Sequence, residues 1–470
     1  MDTKEYTLQN LKPNLRPKTI EECWATIDKL IAIIQKLEER LNINSKNSSQ
    51  PPSMDFRKKK KDKNNNNKKS SGRKPGGQPG HVGVSRKLVP VEQVNKIVTC
   101  LAPEKCEECG DTLSPLEQIV RHQVYEIPIP KYEITEYQIL QAHCENCQKT
   151  YAGSTPKEVG RRGFGLRVHA LIGLLTSKFR LSKRQALLLL KDFYNMPICV
   201  GSVSNVEHRV SQAIEPIHVQ IKTSIDNSKI VHIDETGFKQ NNRTGWAWLI
   251  ATNMLSFFHL DFSRGKKIAK QLIGNFINRI IVSDRYTVYD YIPELNHQNC
   301  WAHLKRDFQK ISERKGIAGV IGRRLLKHYG RLFAFWKASL KIGSTNERRS
   351  KKRRRYLQNA LIKSLVAGAK CSHLTTARTC QNILKQGKSL WLFLDNKEIP
   401  ATNNLAERQL RPLVIAKKFS FGVKSERGAR FIERIYSLTL SCQQQKKNAL
   451  TWLQDSIFNY FSGLAPPIFA

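Results

Sequence analysis

Ile230-Val-His-Ile-Asp-Glu-Thr-Gly237 is a short, β-branched apolar run that ends in carboxylates and a glycine. β-branched residues favour a strand, and a strand without polar alternation is covered on both faces. A bare carboxylate at the end of such a strand is costly unless it meets a cation or several donors. Asp234 therefore stands where a metal ligand would be put, with a glycine turn expected just beyond it. Downstream, Gly245-Trp-Ala-Trp-Leu-Ile-Ala-Thr252 and Leu255-Ser-Phe-Phe-His-Leu-Asp-Phe262 read as strands, and Lys266 to Phe276 as an amphipathic helix. Arg279-Ile-Ile-Val-Ser-Asp284 is a second apolar run ending in an aspartate. Three strands, a helix and a fourth strand suit a mixed sheet with helical cover, whose ligand sites lie beyond the strand ends.

Adjacent strands would bring Asp234 and Asp284 together, and two like charges repel unless a cation joins them. Magnesium, or manganese in its place, is the hard ion that carboxylate and water oxygens prefer. A third carboxylate is available in Asn403-Asn-Leu-Ala-Glu-Arg-Gln-Leu-Arg-Pro412, where the asparagines can cap a helix and Glu407 lies one turn in. Arg408 and Arg411 beside it suit phosphate. Two metals roughly 3.5–4 Å apart, held by three carboxylates, stabilise the attacking and leaving oxygens of a phosphodiester displacement.

Composition agrees with a nucleic-acid partner. The 470 residues carry 79 Lys and Arg against 39 Asp and Glu, a formal charge of +40. Such a surplus on a chain with an ordinary apolar fraction points to a polyanion. No apolar run reaches the ~18–20 residues of a spanning helix, and the first residues have no signal-peptide pattern, so no membrane role is expected. Eleven cysteines, an odd number with two C-x-x-C pairs, favour a reducing compartment and metal ligation over disulfides. A cytoplasmic protein is expected.

Residues 1–45 hold an N-terminal coiled-coil-like helix. Ile20, Trp24, Ile27, Ile31, Ile34 and Leu41 follow a heptad seam broken at Glu38, with Glu21, Lys29, Lys36 and Glu39 left to water. The seam either packs on its own domain or pairs with a second copy. Residues 46–90 form a disordered basic linker, poor in apolar side chains. In it Arg73 and Lys74, within Gly72-Arg-Lys-Pro-Gly-Gly-Gln-Pro-Gly80, have the slim shape that enters a minor groove or else simply serves as a tether. Residues 91–155 contain Cys106-Glu-Glu-Cys109 and Cys144-Glu-Asn-Cys147, separated by 34 residues. Four soft thiolates suit a closed, structural zinc site. The alternating segment from Gln123 to Leu140 predicts two strands turning at Pro128–Lys131. Residues 156–226 read as a helical domain, with Ser182 as an N-cap and a third helix from Ser202, compatible with a helix-turn-helix or with generic helical packing.

At this point the motifs resemble a known family. His-Ile-Asp234-Glu-Thr-Gly, Ser-Asp284-Arg-Tyr-Thr-Val-Tyr-Asp, Cys300-Trp-Ala-His303 and Asn403-Asn-Leu-Ala-Glu407-Arg-Gln-Leu-Arg-Pro are similar to those of the transposases of the insertion-sequence 66 family. The likeness extends in order over the heptad helix, Ser45 to Ser53, the Gly/Pro motif to His81, the double knuckle, and Arg427-Gly-Ala-Arg through Leu438. It implies an α+β multidomain chain with a ribonuclease-H-like α/β catalytic core carrying a helical insertion. The core would comprise residues 227–299 and 391–470, and the insertion 300–390. Asp234, Asp284 and Glu407 would be the catalytic DDE triad. The resemblance also implies metal-dependent DNA cleavage and strand transfer in a bacterium. Double-stranded DNA (terminal inverted repeats and target), small accessory proteins, and a homodimer or higher oligomer on DNA near the nucleoid would be its partners.

Other polar residues are assigned smaller parts. Glu235 faces the other side of its strand from Asp234. Asp290 caps or turns, and Glu433 is the main rival to Glu407. Cys300 and His303, after an expected turn over Ile292–Gln298, look like half a zinc site without a second pair. They are read as accessory residues that pack beside the carboxylates or touch a DNA end. Arg348-Arg and Lys351-Lys-Arg-Arg-Arg355, with Lys417, Lys418 and Lys424, are read as phosphate contacts. Trp246, Trp248 and Trp301 are read as core. The competing functions are a ribonuclease-H-like nuclease without strand transfer and a non-catalytic zinc-containing DNA-binding protein.

Overall fold

A computed structural model describes residues 19–48, 78, 80–83, 86–114, 120–128, 131–160, 162–341 and 347–469. Arg73, Lys74 and most of the basic linker lie outside these residues. The chain divides into two compact units, Lys58–Glu133 and the remainder, Met1–Arg57 with Ile134–Ala470.

In the smaller unit, Cys106 opens a tight turn in which its N–H donates to Asp111 O (2.8 Å) and its carbonyl accepts from Gly110 (3.0 Å). Gly110 has φ +78°, a conformation that a side chain would strain. The larger unit carries the second cysteine pair on a two-stranded hairpin, β1 (Gln141–Cys144) and β2 (Lys149–Ala152), with Cys144 opposite Lys149. This corrects the hairpin expected between Gln123 and Leu140. Among the described residues of that segment there is no strand, and its predicted turn falls partly outside them. The alternation there is real, but among the described residues no strand pairs with it.

The larger unit begins with α1 (Ile20–Leu41), whose N-cap Thr19 accepts the Glu22 N–H at 3.2 Å. Its heptad seam is left to solvent, with Trp24 63% exposed and Ile27, Ile31 and Ile34 also exposed. Four helices follow: α2 (Leu166–Thr176), α3 (Lys183–Tyr194), α4 (Val200–Ala213) and α5 (Glu215–Asp226). Ser182 caps α3 in a reciprocal box with Gln185, as its sequence position suggested. Val203, Val206 and Val210 of α4 are fully buried and join the main core.

The central sheet has the order β5-β4-β3-β6-β7, made of β3 (Ile230–Gln240), β4 (Arg243–Ala251), β5 (Ser256–Asp261), β6 (Ile280–Ser283) and β7 (His297–Asn299). β3, β4 and β5 form an antiparallel meander, whereas β6 and β7 run parallel to β3. The helix α6 (Lys266–Ile273) lies in the connection between β5 and β6. Two expectations are corrected here. β3 does not turn at Gly237 but continues to a tight turn at Asn241 and Asn242, both with positive φ, so Asp234 sits inside the strand. His297 and Gln298, expected at the end of a turn over Ile292–Gln298, form with Asn299 the edge strand β7, and all three are buried despite being polar. Their partners are made by the fold: His297 Nε2 with Ser283 Oγ at 2.7 Å, Gln298 Oε1 with Phe393 N at 2.9 Å, and Asn299 Nδ2 with Gln386 Oε1 at 3.0 Å.

Between β7 and the last helices lies a helical insertion: α7 (Trp301–Ser312), α8 (Gly316–Lys341), α9 (Glu347–Ala369) and α10 (Leu374–Leu384). It has its own apolar core around Trp301, Leu304, Phe308, Leu325 and Leu361. A short helix, α11 (Leu392–Asp395), leads back to α12 (Asn404–Ser420), which packs over β3 and β4. α13 (Glu426–Gln444) and α14 (Ala449–Ser462) complete the main core.

α13 also solves the problem of the open edge of β5. Three outward N–H groups of that strand are accepted by side chains one and two helical turns apart: Ser256 by Ser441 Oγ (2.9 Å), Phe258 by Ser437 Oγ (2.8 Å) and Leu260 by Glu433 Oε1 (2.6 Å). An edge strand left bare would be a template for pairing with another chain. Glu433 is thereby bound into the sheet edge, with Arg430 at 2.7 Å and His259 at 3.2 Å. The rival to Glu407 thus has a structural occupation. Ser437→Ala leaves the Phe258 amide buried and unpaired, and is expected to cost about 1–3 kcal/mol, read as a lowered urea or thermal midpoint.

Candidate functional site

The parallel pairing of β3 with β6 sets the site. Ile230, Val231 and His232 lie opposite Ile280, Ile281 and Val282. Continued two residues further, the same register brings Asp234 level with Asp284, which follows directly on β6. Asp284 Oδ1 accepts the Tyr286 N–H at 3.0 Å, and Asp234 Oδ1 accepts the Glu235 N–H at 2.9 Å. Burial pushes the Asp234 carboxyl well above the usual range, and the charges of Glu235, Asp284 and Glu407 push it further. Carboxylates at the end of β6 and in the first turn of α12 therefore act on Asp234 of β3, a repulsion that a proton or a cation would relieve.

α12 is held in place by Asn403. The sequence suggested that this residue caps the helix, but its side chain makes no cap bond. Instead Oδ1 meets His232 Nδ1 at 2.9 Å, Nδ2 donates to Ile233 O at 2.8 Å, and the backbone N–H donates to Cys300 Sγ at 3.1 Å. Nearby, Trp301 N donates to Ala401 O at 3.0 Å and Cys300 N to Ser283 O at 2.9 Å. These bonds tie the starts of α7 and α12 to the strands that bear the aspartates. Further along, Lys417 Nζ donates to Thr236 Oγ1 and Gly237 O, both at 2.6 Å. Burial, and the neighbouring Lys418, lower its pKa.

Glu235 faces away from Asp234, as strand alternation implied. It is almost wholly buried, paired with Arg264 Nη2 at 2.7 Å and accepting from Tyr289 Oη at 2.5 Å. Arg264 in turn stacks over Trp246 at 4.4 Å and Tyr286 at 3.9 Å. Trp248 and Trp301 are core residues, as expected, and Asp290 ends a short 3₁₀ turn on the surface.

The tertiary structure adds a contact that sequence order hides. Cys300, just before α7, and His303, in its first turn, lie beside Glu407, the ligand atoms of all three falling within 4.8 Å of one another. Glu407 Oε1 is 3.7 Å from His303 Nε2, and Oε2 is 3.7 Å from Arg306. The C-x-x-H motif was the only sequence signal for this, and nothing in it named the third residue.

The other expected residues are distributed as follows. Arg408, Arg411 and Lys418 are exposed along α12. Cys106 and Cys109 belong to the smaller unit, and Cys144 and Cys147 to the larger. All four are free thiols. Backbone N–H groups of Cys109 and Glu108 lower the Cys106 thiol pKa, and those of Cys147 and Asn146, with the Cys147 side chain, lower that of Cys144.

Residues 171–431, more than half of the chain, match the family described as Transposase IS66 family. The chain belongs to the IS66 transposase family. The matched span runs from α2 into α13 and contains Asp234, Asp284, Cys300, His303 and Glu407. Residues 7–87 match a second family, DUF6444, of unknown function. Two relatives of this IS66-family chain come from Sinorhizobium fredii. "Uncharacterized protein y4qI" is 22% identical over 46% of this chain and 44% of its own length, and "Uncharacterized protein y4hP" is 21% identical over 79% and 73%. The chain thus spans less than half the length of the first.

The strain among the carboxylates has a measurable consequence. A carboxyl whose folded pKa is raised stabilises the fold below its unfolded pKa and loses that contribution as pH rises through the folded value. In chelator, Asp234→Asn is therefore expected to be the more stable protein by on the order of 1 kcal/mol. The gap in melting temperature should widen as pH rises above the ordinary carboxylate range. An unchanged gap would deny the repulsion.

Proposed function

We propose that this chain is a DDE-type transposase that cuts double-stranded DNA at the ends of an insertion element and joins the freed 3′-hydroxyl to target DNA. The observation that carries the reading is the meeting of Asp234, Asp284 and Glu407 in one electrostatic field, from two parallel strands and a helix. The sheet order, an antiparallel meander followed by two parallel strands, supports a ribonuclease-H-like core. The +40 charge supports a polyanionic substrate.

Asp234, Asp284 and Glu407 offer hard oxygen donors, which fit magnesium or manganese. Bound there, such ions would lower the pKa of the attacking water or hydroxyl and offset charge at the departing oxygen. Asn403 keeps Glu407 at the strand ends, and Arg264 with Tyr289 holds Glu235 out of the way on the opposite face. Arg408, Arg411 and Lys418 stand free on α12 to meet phosphates, while Lys417 fastens that helix to β3. Within each cysteine pair, the lowered pKa of Cys106 or of Cys144 suits ligation of a metal such as zinc, which would contribute order rather than chemistry. The exposed seam of α1 supports self-association as a parallel coiled coil, so that two copies act on paired ends.

Asp234→Asn and Glu407→Gln are each expected to reduce magnesium-dependent cleavage of an element end by at least about 10³-fold. DNA binding, read by gel shift, should stay within a few-fold, and equal loss of binding would sink the assignment. Joined products in the wild-type reaction separate a transposase from a nuclease that only hydrolyses. Ile27→Asp with Ile31→Asp should convert the chain to a monomer by light scattering. An unchanged mass would remove α1 from the interface.

A further inference from the structure

We propose that Cys300, His303 and Glu407 form a second divalent-metal site, of the borderline class that takes zinc or cobalt, beside the hard carboxylate site. One sulfur, one imidazole nitrogen and one carboxylate oxygen lie within 4.8 Å of one another. Three protein ligands with an open fourth position is the usual count for a zinc that is not purely structural. A thiol is a poor ligand for magnesium, so the two sites differ in kind.

Two atoms of the cluster have no other occupation. His303 Nδ1 and Glu407 Oε1 are shielded from solvent without a hydrogen-bond partner. The 3.7 Å between His303 Nε2 and Glu407 Oε1 is too long for a hydrogen bond between them. Buried polar atoms are normally paired, and the unpaired Glu407 Oε1, beside the Cys300 thiol and 3.7 Å from His303 Nε2, asks for a ligand. The frame is rigid as well. Asn403 N donates to the Cys300 sulfur at 3.1 Å, so the same bond that anchors α12 orients the thiol. Binding would displace the thiol proton, as ligation by cysteine requires.

Glu407 would then belong to both sites. That sharing, and only that, rests on the carboxylate triad proposed above. A zinc ion held by Cys300 and His303 would engage Oε1 and leave Oε2, 3.7 Å from Arg306, coupling the carboxylate to the supply of a borderline metal.

The full chain, equilibrated with zinc and freed of excess, is to be assayed for metal by atomic emission, and separately titrated with cobalt. His303→Ala is expected to carry one zinc ion per chain fewer than the wild type. Cys300→Ser should lose part of the thiolate-to-cobalt charge-transfer absorption. Asp234→Asn should keep both signals, which separates this site from the catalytic reading. If Cys300→Ser does not fold, the half-exposed His303 still decides the matter. Equal zinc content in wild type and His303→Ala would overturn the proposal.

Discussion

The hydrogen bonds of one buried side chain hold together parts of the molecule that lie 171 residues apart along the chain. Asn403 accepts at His232, donates to the carbonyl of Ile233, and lends its backbone N–H to the sulfur of Cys300. Each of these groups is buried, and a buried polar group left without its partner costs about 1–3 kcal/mol. The asparagine is thus a fastening and not a cap. It sets where α12 begins, and hence where Glu407 stands relative to the strands. Lys417 fastens the same helix further along, and Asn403 fixes the end that bears Glu407.

What it brings together repels. Burial raises the cost of ionising Asp234, and Glu235 from across the strand, Asp284 and Glu407 add to it. The fold answers Glu235 with Arg264 and Tyr289, but among the described residues Asp234 accepts only a local backbone N–H. The contrast between the two neighbours is informative. Glu235 is neutralised by protein groups and serves the scaffold, whereas Asp234 keeps an unmet electrostatic demand. An unmet demand in a well-fastened frame marks a candidate functional site.

The helices that close the sheet work by the same economy of polar groups. α13 covers an edge strand by presenting Ser441, Ser437 and Glu433 at one-turn intervals to alternate N–H groups. At the opposite edge, β7 is built from His297, Gln298 and Asn299, and is paired through the residues that enclose it. β7 is polar in sequence yet buried in space. Hydrophobic periodicity therefore says nothing of β7, and a glutamate on a helix can pass for a ligand when it is a strut.

The residues alone determined the apolar runs that became β3, β4, β5 and β6, the bounds of α1, the capping of α3, the Trp core and the identity of the charged residues at strand ends, because periodicity and cap chemistry are local. They also carried the family motifs, which named Asp234, Asp284 and Glu407 in order. The true end of β3, the edge strand β7, the missing hairpin before Gln141 and the duty of Asn403 depended on partners distant in sequence. So did the meeting of Cys300 and His303 with Glu407. A hydrogen-bond or ligand partner is chosen by proximity in space, and only the packed chain decides which polar group stands beside which.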